Sequence, residues 1–314
     1  IGNNSLFFSL KWKLAILFGC VFLILQSVFA FFSYKNAQDN FENDRKNIQV
    51  SYINIAETLT KDSFLVLEQF AELVSALNDP AQEGTGQQNP VSSLDGNWSR
   101  WQLIWDIENS AFFDKQGKLI KSWGKHLIDS DDKIRDVLDN EIPEHQVFCP
   151  DNCYQQAIVP VMGKSDIIGV FSVIRSFSDV IIKYSDATNS DVGVLIADFT
   201  VDEKTKSPQS GQWQYKLSGM TRPEKNLPVF GYLSKHYAID DFFSASKRIA
   251  FDKAVYEVRI LPIQQANGSN KPPYFLFIDD ITKDVSHLND DLKRIWLYSF
   301  TGLLASLSLI LLAL

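Results

Sequence analysis

Ser110-Ala-Phe-Phe-Asp-Lys-Gln-Gly-Lys-Leu-Ile-Lys-Ser-Trp-Gly124 predicts two short β-strands joined by the turn Asp-Lys-Gln-Gly. Apolar stretches bounded by turn residues continue along the chain after this hairpin. They predict further strands at 154–161, 167–175, 191–198, 212–217, 229–233, 247–251, 254–262 and 274–279. Most connections between them are too short for a crossover helix, so we expect mainly antiparallel hairpins.

Helical segments surround these strands. Residues 35–78 predict one long helix without Pro or Gly, and its apolar or small residues recur every three or four positions. These are Ile48, Tyr52, Ile55, Leu59, Ser63, Val66, Phe70, Leu73 and Leu77. Such a stripe packs against a domain, a partner helix or both, and we expect dimer contacts at its start and domain packing further on. Shorter helices are predicted at 131–140, 177–188 and 281–294, whereas 81–96 reads as a loop before a new ordered region at Trp98.

Two charge-free apolar runs lie at the ends, 14–34 and 295–314, each about as long as a membrane-spanning helix. Lys11 and Lys13 precede the first run, so we expect the N-terminus to be cytoplasmic and the chain from about residue 35 to lie outside. A cleaved signal peptide is the alternative for the first run, and a buried core helix for the second. Because the chain stops within the second run, we expect it to be part of a longer protein whose intracellular domain is missing.

The sequence between these runs is acidic. Residues 35–294 carry 28 basic and 38 acidic side chains, a net charge of −10. This charge argues against nucleic acid or anionic lipid as the main partner. The balance of apolar and charged residues is typical of an ordered segment.

Cys149 and Cys153 flank Pro-Asp-Asn. In an oxidising compartment a short local disulfide is the first interpretation, and it would pin a turn. A metal site with His145 and two free thiols are the alternatives, although zinc would lack a fourth ligand. Cys20, in the first apolar run, is interpreted as inert packing.

No catalytic motif is found in this sequence. We expect no metal and no cofactor, and the acidic pairs Asp279-Asp280 and Asp290-Asp291 are interpreted as solvated or capping residues. The side chains chosen as candidates for ligand binding are aromatic residues and one cation. They are Trp101, Trp105, Trp123, Tyr154 and Arg175, with Trp98 in the same aromatic cluster. The aromatic residues could equally form core or dimer surface, and Arg175 could be a solvent-exposed arginine on an edge strand.

Three stretches, 112–124, 149–161 and 169–176, resemble the double Cache sensory region of bacterial transmembrane receptors. The order of elements matches as well. The resemblance implies an α+β fold, with two stacked PAS-like (double Cache) modules on a long N-terminal helix, flanked by two transmembrane helices. In this family small ligands usually bind the membrane-distal module. The Tyr, Arg-x-Trp and Asp pattern of amino-acid-binding relatives is not found, because Arg100-Trp101 comes too early, so an amino-acid ligand is not supported.

The resulting domain prediction divides the chain into seven segments. They are a cytoplasmic N-terminus (1–13), a first transmembrane helix (14–34), a stalk helix (35–80), a membrane-distal module (81–189), a membrane-proximal module (190–281), an exit helix (282–294) and a second transmembrane helix (295–314). Residues 35–294 would be periplasmic, and the chain would cross a bacterial inner membrane twice.

Together these features predict the input half of a signalling receptor. It would bind an unknown small molecule or sense redox state, form a homodimer and signal across the lipid bilayer, with no nucleic-acid partner. The resemblance implies a histidine kinase, a diguanylate cyclase or phosphodiesterase, or a chemotaxis domain as output. A non-signalling scaffold or binding protein of the cell envelope is the alternative, and an anchored enzyme is disfavoured by the missing catalytic groups.

Overall fold

The computed structural model describes residues 10–76, 92–124, 131–163, 166–197, 212–264 and 272–313. The chain forms two compact units, Ile1–Ser51 with Ile281–Leu314, and Tyr52–Asp280. Each unit is described by itself. Predictions that fall on 77–91, 125–130 or 198–211, and the ends of the chain, lie outside the described residues.

The first unit consists of the beginning of one long helix, up to Ser51, and of a second long helix. Helix α1 begins at Leu10 and ends at Ala76, and α7 spans Thr282–Ala313. Over the described residues one helix, within α1, is long and apolar enough to cross a membrane. The predicted helices at 14–34 and 35–78 are helical wherever the structure describes them, and the helix predicted at 281–294 begins one residue later, at Thr282.

Three contacts set the pairing of α1 with α7 in this unit. A Cβ added at Gly19 would lie 3.9 Å from Cδ1 of Ile310, and one added at Gly302 would lie 3.1 Å from Nε2 of Gln26. Nη1 of Arg45 lies 3.1 Å from Oδ2 of Asp284. From Gly19 to Arg45 the residue number rises by 26 along α1, and from Ile310 to Asp284 it falls by 26 along α7, so the two helices run antiparallel.

Ten strands form two five-stranded antiparallel sheets in the second unit. The first sheet has the order β2-β1-β5-β4-β3 and the second β7-β6-β10-β9-β8. Strands β1 to β5 are Ile107–Asp114, Leu119–Gly124, Glu144–Phe148, Tyr154–Met162 and Ile167–Ser176. Strands β6 to β10 are Asp191–Ala197, Tyr215–Met220, Lys247–Phe251, Ala254–Pro262 and Tyr274–Asp280.

The β1–β2 hairpin is confirmed, and its turn explains why it forms. Oδ1 of Asp114 accepts hydrogen bonds from the backbone N–H groups of Gln116 and Lys118, both at 2.9 Å. Gly117 supplies the positive φ that the turn requires, +75°. The predicted strands at 247–251 and 254–262 are also confirmed, and Asp252 and Lys253 join them with φ of 44° and 65°.

Helices cover both faces of the first sheet. Helix α4, Asp131–Asn140, packs Ile134 and Val137 against one face. Helix α1, with α2 (Ser92–Asp95) and α3 (Trp98–Trp105), covers the other.

The second sheet also buries both faces. One face packs against α6, Pro223–His236, and a short 3-10 helix at Ile239–Phe242. Its other face shares a core with α5, Ser178–Thr188, and with α1. Because this core also includes residues of the first sheet, one apolar cluster joins the two sheets.

The prediction of a strand at 229–233 is wrong, because these residues lie in α6. A short apolar run fits a buried strand and a buried helix equally well. The helical solution begins with Pro223 in its first turn and buries Asn226, Val229, Phe230 and Leu233, which are three or four residues apart. The strand predicted at 212–217 is shifted to 215–220, and β3, an edge strand, was not predicted.

Candidate ligand-binding site

The aromatic candidates lie between α1, α3 and the first sheet. Six rings form this aromatic cluster: Phe70, Trp98, Trp101, Trp105, Trp123 and Phe171. The ring centroid of Phe70 lies 5.7 Å from that of Trp101 and 5.4 Å from that of Trp105. Trp123 lies 6.3 Å from Trp98 and 6.5 Å from Phe171. The structure therefore brings Trp101, Trp105 and Trp123 together in one packed core.

Asp95 ties α2 to this cluster. Its Oδ1 accepts a 2.9 Å hydrogen bond from Nε1 of Trp123, and its Oδ2 pairs with the ammonium group of Lys121. The hydrogen bond from Lys121, with that from Trp123, lowers the pKa of Asp95 below its usual value. The indole N–H group is thus engaged by the protein itself.

This lowered pKa predicts a pH dependence. The contribution of Asp95 to stability is fully present above its unfolded-state pKa, and it is lost as pH falls through the lower folded-state pKa. We expect Asp95→Asn to lower the melting temperature at pH 7, and the difference between the two proteins to shrink as pH falls below 3.8, the usual pKa of an aspartate. Thermal unfolding followed by tryptophan fluorescence from pH 7 to pH 2.5 measures this. A difference between the two proteins that does not change with pH would contradict it.

Tyr154 lies apart from the tryptophans. It belongs to the same face of β4 as Gln156, because alternate residues of a strand share a face. Its ring stacks on Phe148 with centroids 5.6 Å apart. Tyr154 is therefore on the α4 side of the sheet, opposite the aromatic cluster.

Arg175 is buried in a central strand. Its strand, β5, lies between β1 and β4, and its side chain is 8% exposed. Nη2 lies 2.7 Å from Oδ2 of Asp179, and Nε lies 3.8 Å from Oδ2 of Asp106. The interpretation of Arg175 as a solvent-exposed residue on an edge strand is therefore wrong, and two carboxylates already neutralise its charge.

A row of buried polar side chains crosses the first sheet on the α4 side. Nε2 of Gln146 donates to Oε1 of Gln156 at 2.5 Å, and Nε2 of Gln156 donates to Oγ of Ser172 at 2.7 Å. Asn109 lies opposite Ile174, on the same face as Ser172. All four side chains are buried. We call Asn109, Gln146, Gln156 and Ser172 the amide row.

The amide row has the chemistry of a site for a polar, uncharged group. Amides and hydroxyls supply both donors and acceptors, and burial makes each hydrogen bond specific because an unmatched partner is costly. Sequence reasoning missed these residues. The available signal was the pair Gln155-Gln156 inside an otherwise apolar strand. Among the described residues, no group of three or more His, Cys, Asp or Glu side chains is placed to hold a metal ion.

A disulfide joins Cys149 to Cys153 in the loop between β3 and β4. The backbone N–H of Cys153 donates to Oγ of Ser218, at 3.0 Å, and Asp151 lies 3.7 Å from Nζ of Lys216. Ser218 and Lys216 belong to β7, the edge strand of the second sheet. The disulfide loop is therefore a contact between the two sheets.

Reducing this disulfide is expected to lower the free energy of unfolding by about 2 kcal/mol, the value for so short a closed loop. Thermal unfolding with and without dithiothreitol measures the effect. The double variant Cys149→Ser/Cys153→Ser keeps Cys20 and serves as the control. It should melt at the same temperature in both conditions, and a shift of the control by the same amount would refute the assignment to this loop.

A shallow cleft lies between α1 and strands β9 and β10. Its floor is apolar and includes Ala56, Phe275 and Phe277. At its rim, Nε2 of Gln264 donates to Oε1 of Glu57 at 3.0 Å. The cleft is open to solvent, and it lies on the second sheet, away from the amide row.

Comparisons with solved structures give matches to domains of bacterial chemoreceptors. The ligand-binding domain of a Campylobacter jejuni chemoreceptor, solved with L-valine, matches with a TM-score of 0.48 and 10% identity, over 83% of this chain and 98% of that chain. The domain of a Pseudomonas fluorescens chemoreceptor, solved with L-serine, matches with a TM-score of 0.39 and 14% identity, over 79% and 99%. At these values neither likeness bears on what this chain binds. A comparison with curated protein sequences gives no match.

A family model matches the sequence of this chain. It describes the double sensory domain of two-component sensor kinases, and it covers residues 45–285, most of the chain. The matched region begins in α1, includes both sheets and ends in α7. This chain therefore belongs to the dCache_3 family of double sensory domains of two-component sensor kinases.

Proposed function

We propose that this chain is the periplasmic input region and membrane anchor of a bacterial sensor kinase, which detects a small molecule. The family match over residues 45–285 carries the proposal. Helix α1 supports it, because it runs without a break from the apolar segment into the part that packs on both sheets. The sheets β1–β5 and β6–β10 are proposed to be the membrane-distal module, 81–189, and the membrane-proximal module, 190–281.

The proposed topology crosses the inner membrane twice, at 14–34 and 295–314. The N-terminus would be cytoplasmic and residues 35–294 periplasmic. Lys11 and Lys13 support this orientation, and the antiparallel pairing of α1 with α7 supports two crossings. Labelling of single cysteines at the exposed position 46 and at position 10 with a membrane-impermeant maleimide tests it, since only the former should react in intact cells.

The ligand is proposed to bind on the α4 side of the first sheet, at the amide row. A polar, uncharged ligand group could replace hydrogen bonds within the row by bonds of its own, because amides both donate and accept. The aromatic cluster and Arg175 are less suitable for such a group, because the rings pack on one another as an apolar core and Arg175 is a charged group already paired with carboxylates.

A thermal-shift screen of the full chain in nanodiscs tests this site. The panel contains amides, polyols, short carboxylates and amino acids. A compound that raises the melting temperature should lose most of its effect in Gln156→Leu. Gln102→Leu is the matched control, because Gln102 is exposed on α3. A compound that stabilises both variants equally binds elsewhere.

Redox sensing is the second candidate, favoured by the disulfide loop and its contact with Ser218. It predicts that signalling responds to dithiothreitol in the native protein but not in the Cys149→Ser/Cys153→Ser variant.

Homodimerisation is proposed to use α1. After the apolar segment 14–34, the helix still exposes apolar side chains, among them Val50, Leu65 and Leu73. A cysteine-crosslinking scan over 48–77 should give dimers with a helical periodicity, and a scan that gives only monomers contradicts the proposal. Leu77 lies outside the described residues.

The output domain is proposed to be a histidine kinase, as the family description implies. A cyclic-di-GMP enzyme is the alternative. Autophosphorylation of the full-length receptor from ATP distinguishes them. A non-signalling scaffold would show neither activity.

A further inference from the structure

Gln155 and Gln156 are consecutive residues of β4 whose side chains lie on opposite faces of the first sheet. Both are buried, with exposures of 0% and 1%. Gln156 belongs to the amide row on the α4 side, whereas Gln155 faces α1. One stretch of backbone therefore lies between the proposed ligand site and α1.

Two hydrogen bonds connect Gln155 to two residues of α1 that are three positions apart and therefore share one face of the helix. Oγ of Ser63 donates to Oε1 of Gln155 at 2.5 Å, and Nε2 of Gln155 donates to the backbone carbonyl of Thr60 at 3.5 Å. Ser63 and Thr60 are themselves buried. A carbonyl only accepts, so it fixes which end of the amide faces Thr60. Gln155 thus has one orientation, and it is hydrogen-bonded to one turn of the helix.

We propose that Gln155 is the positioning residue that couples the amide row to α1. This inference rests on the proposed ligand site. A ligand that takes over hydrogen bonds of Gln156 changes the position of the β4 backbone there, and the adjoining peptide carries Gln155. Because Gln155 holds both Thr60 and Ser63, that turn of α1 moves with the strand.

The continuity of α1 gives this contact its importance. The turn that contains Thr60 and Ser63 belongs to the helix that begins at Leu10, and no proline interrupts that helix. An alternative route from the amide row to α1 passes through apolar contacts of the sheet, which tolerate small shifts. A buried hydrogen bond is more directional than such contacts, since it weakens steeply with distance and angle.

Hydrogen exchange measured by mass spectrometry, on the full chain in nanodiscs without ligand, tests the proposal. In Gln156→Leu, α1 peptides covering 56–67 are expected to exchange several-fold faster than in the native protein. In the Gln155→Leu background, adding Gln156→Leu should cause no further change. Ser172→Ala, which removes only the acceptor of Gln156, is a milder second variant with the same expected direction.

Ile158→Val is the matched control. Ile158 lies two residues further along β4, on the same face and equally buried, but carries no amide. If it accelerates exchange in 56–67 as much as Gln156→Leu does, the effect is general destabilisation and the proposal falls. An effect of Gln156→Leu that persists in full without Gln155 also overturns it.

Substitutions of Ser63 separate a hydrogen bond from mere packing. Ser63→Thr keeps the hydroxyl and should preserve the response of α1, whereas Ser63→Ala should remove it. Equal behaviour of these two variants contradicts the role of the hydrogen bond. Because no ligand is added, failure here is distinguishable from failure of the ligand site, which the thermal-shift screen reports.

Discussion

Phe70→Ala is expected to lower the free energy of unfolding by about 3–5 kcal/mol, the cost of removing a fully buried aromatic side chain. Phe70 is 0% exposed, and its ring lies 5.7 Å from Trp101 and 5.4 Å from Trp105. The indoles of Trp101 and Trp105 are held by α3, so they move only partly into the space and a cavity remains. Urea unfolding of the full chain, followed by tryptophan fluorescence, measures the loss.

The control for this prediction is Leu103→Ala. Leu103 lies on α3 as well but is 85% exposed, so its truncation should change stability by less than about 0.5 kcal/mol. Equal losses in the two variants would show that Phe70 is not part of a tightly packed core. A large loss in Phe70→Ala alone supports the assignment of the tryptophans to packing.

Gly169→Ala is expected to destabilise the protein by about 3 kcal/mol, at the upper end of what an overpacked site costs. A Cβ at this position would lie 2.1 Å from the carbonyl oxygen of Phe113 and 2.9 Å from the ring of Phe112. The oxygen belongs to the backbone of β1, so relief requires β1 and β5 to separate locally. The melting temperature and the urea midpoint both report the loss.

Gly231→Ala makes the same substitution with the opposite expected sign. Gly231 lies inside α6, and an added Cβ would meet nothing within 4 Å. Alanine is favoured over glycine in a helix by about 0.5–1 kcal/mol, so this variant should melt higher than the native protein. If both glycine variants lose stability equally, the close approach at Gly169 is not the cause.

The strand pattern of this chain was largely predictable because its turns carry strong local signals. Asp114 and Gly117 fix the first hairpin through two side-chain hydrogen bonds and one positive φ. The antiparallel arrangement followed from connection length alone. Helix α6 was missed because a five-residue apolar run has no distinguishing period, and only packing on the second sheet selects the helix.

The candidate site was harder to predict, since it depends on register and strand order. Arg175 reads as an exposed residue until β5 is known to be central. Gln156 reads as a surface residue until its neighbours, Gln146 and Ser172, are brought beside it from other strands. Aromatic side chains attract attention in a sequence, but a core and a pocket use the same residues, so Trp101, Trp105 and Trp123 were ambiguous.

The register between α1 and α7 limits how the two helices can move against each other. The contacts at Gly19, Gln26 and Arg45 span about 39 Å of helix, at 1.5 Å per residue. A sliding motion by one turn breaks all three contacts at once. A tilt about Gln26 and Gly302 strains only the outer two, because the glycine lets the side chain of Gln26 approach α7 closely at this point. The helix pair is therefore expected to resist sliding along its axis more strongly than a tilt about Gly302.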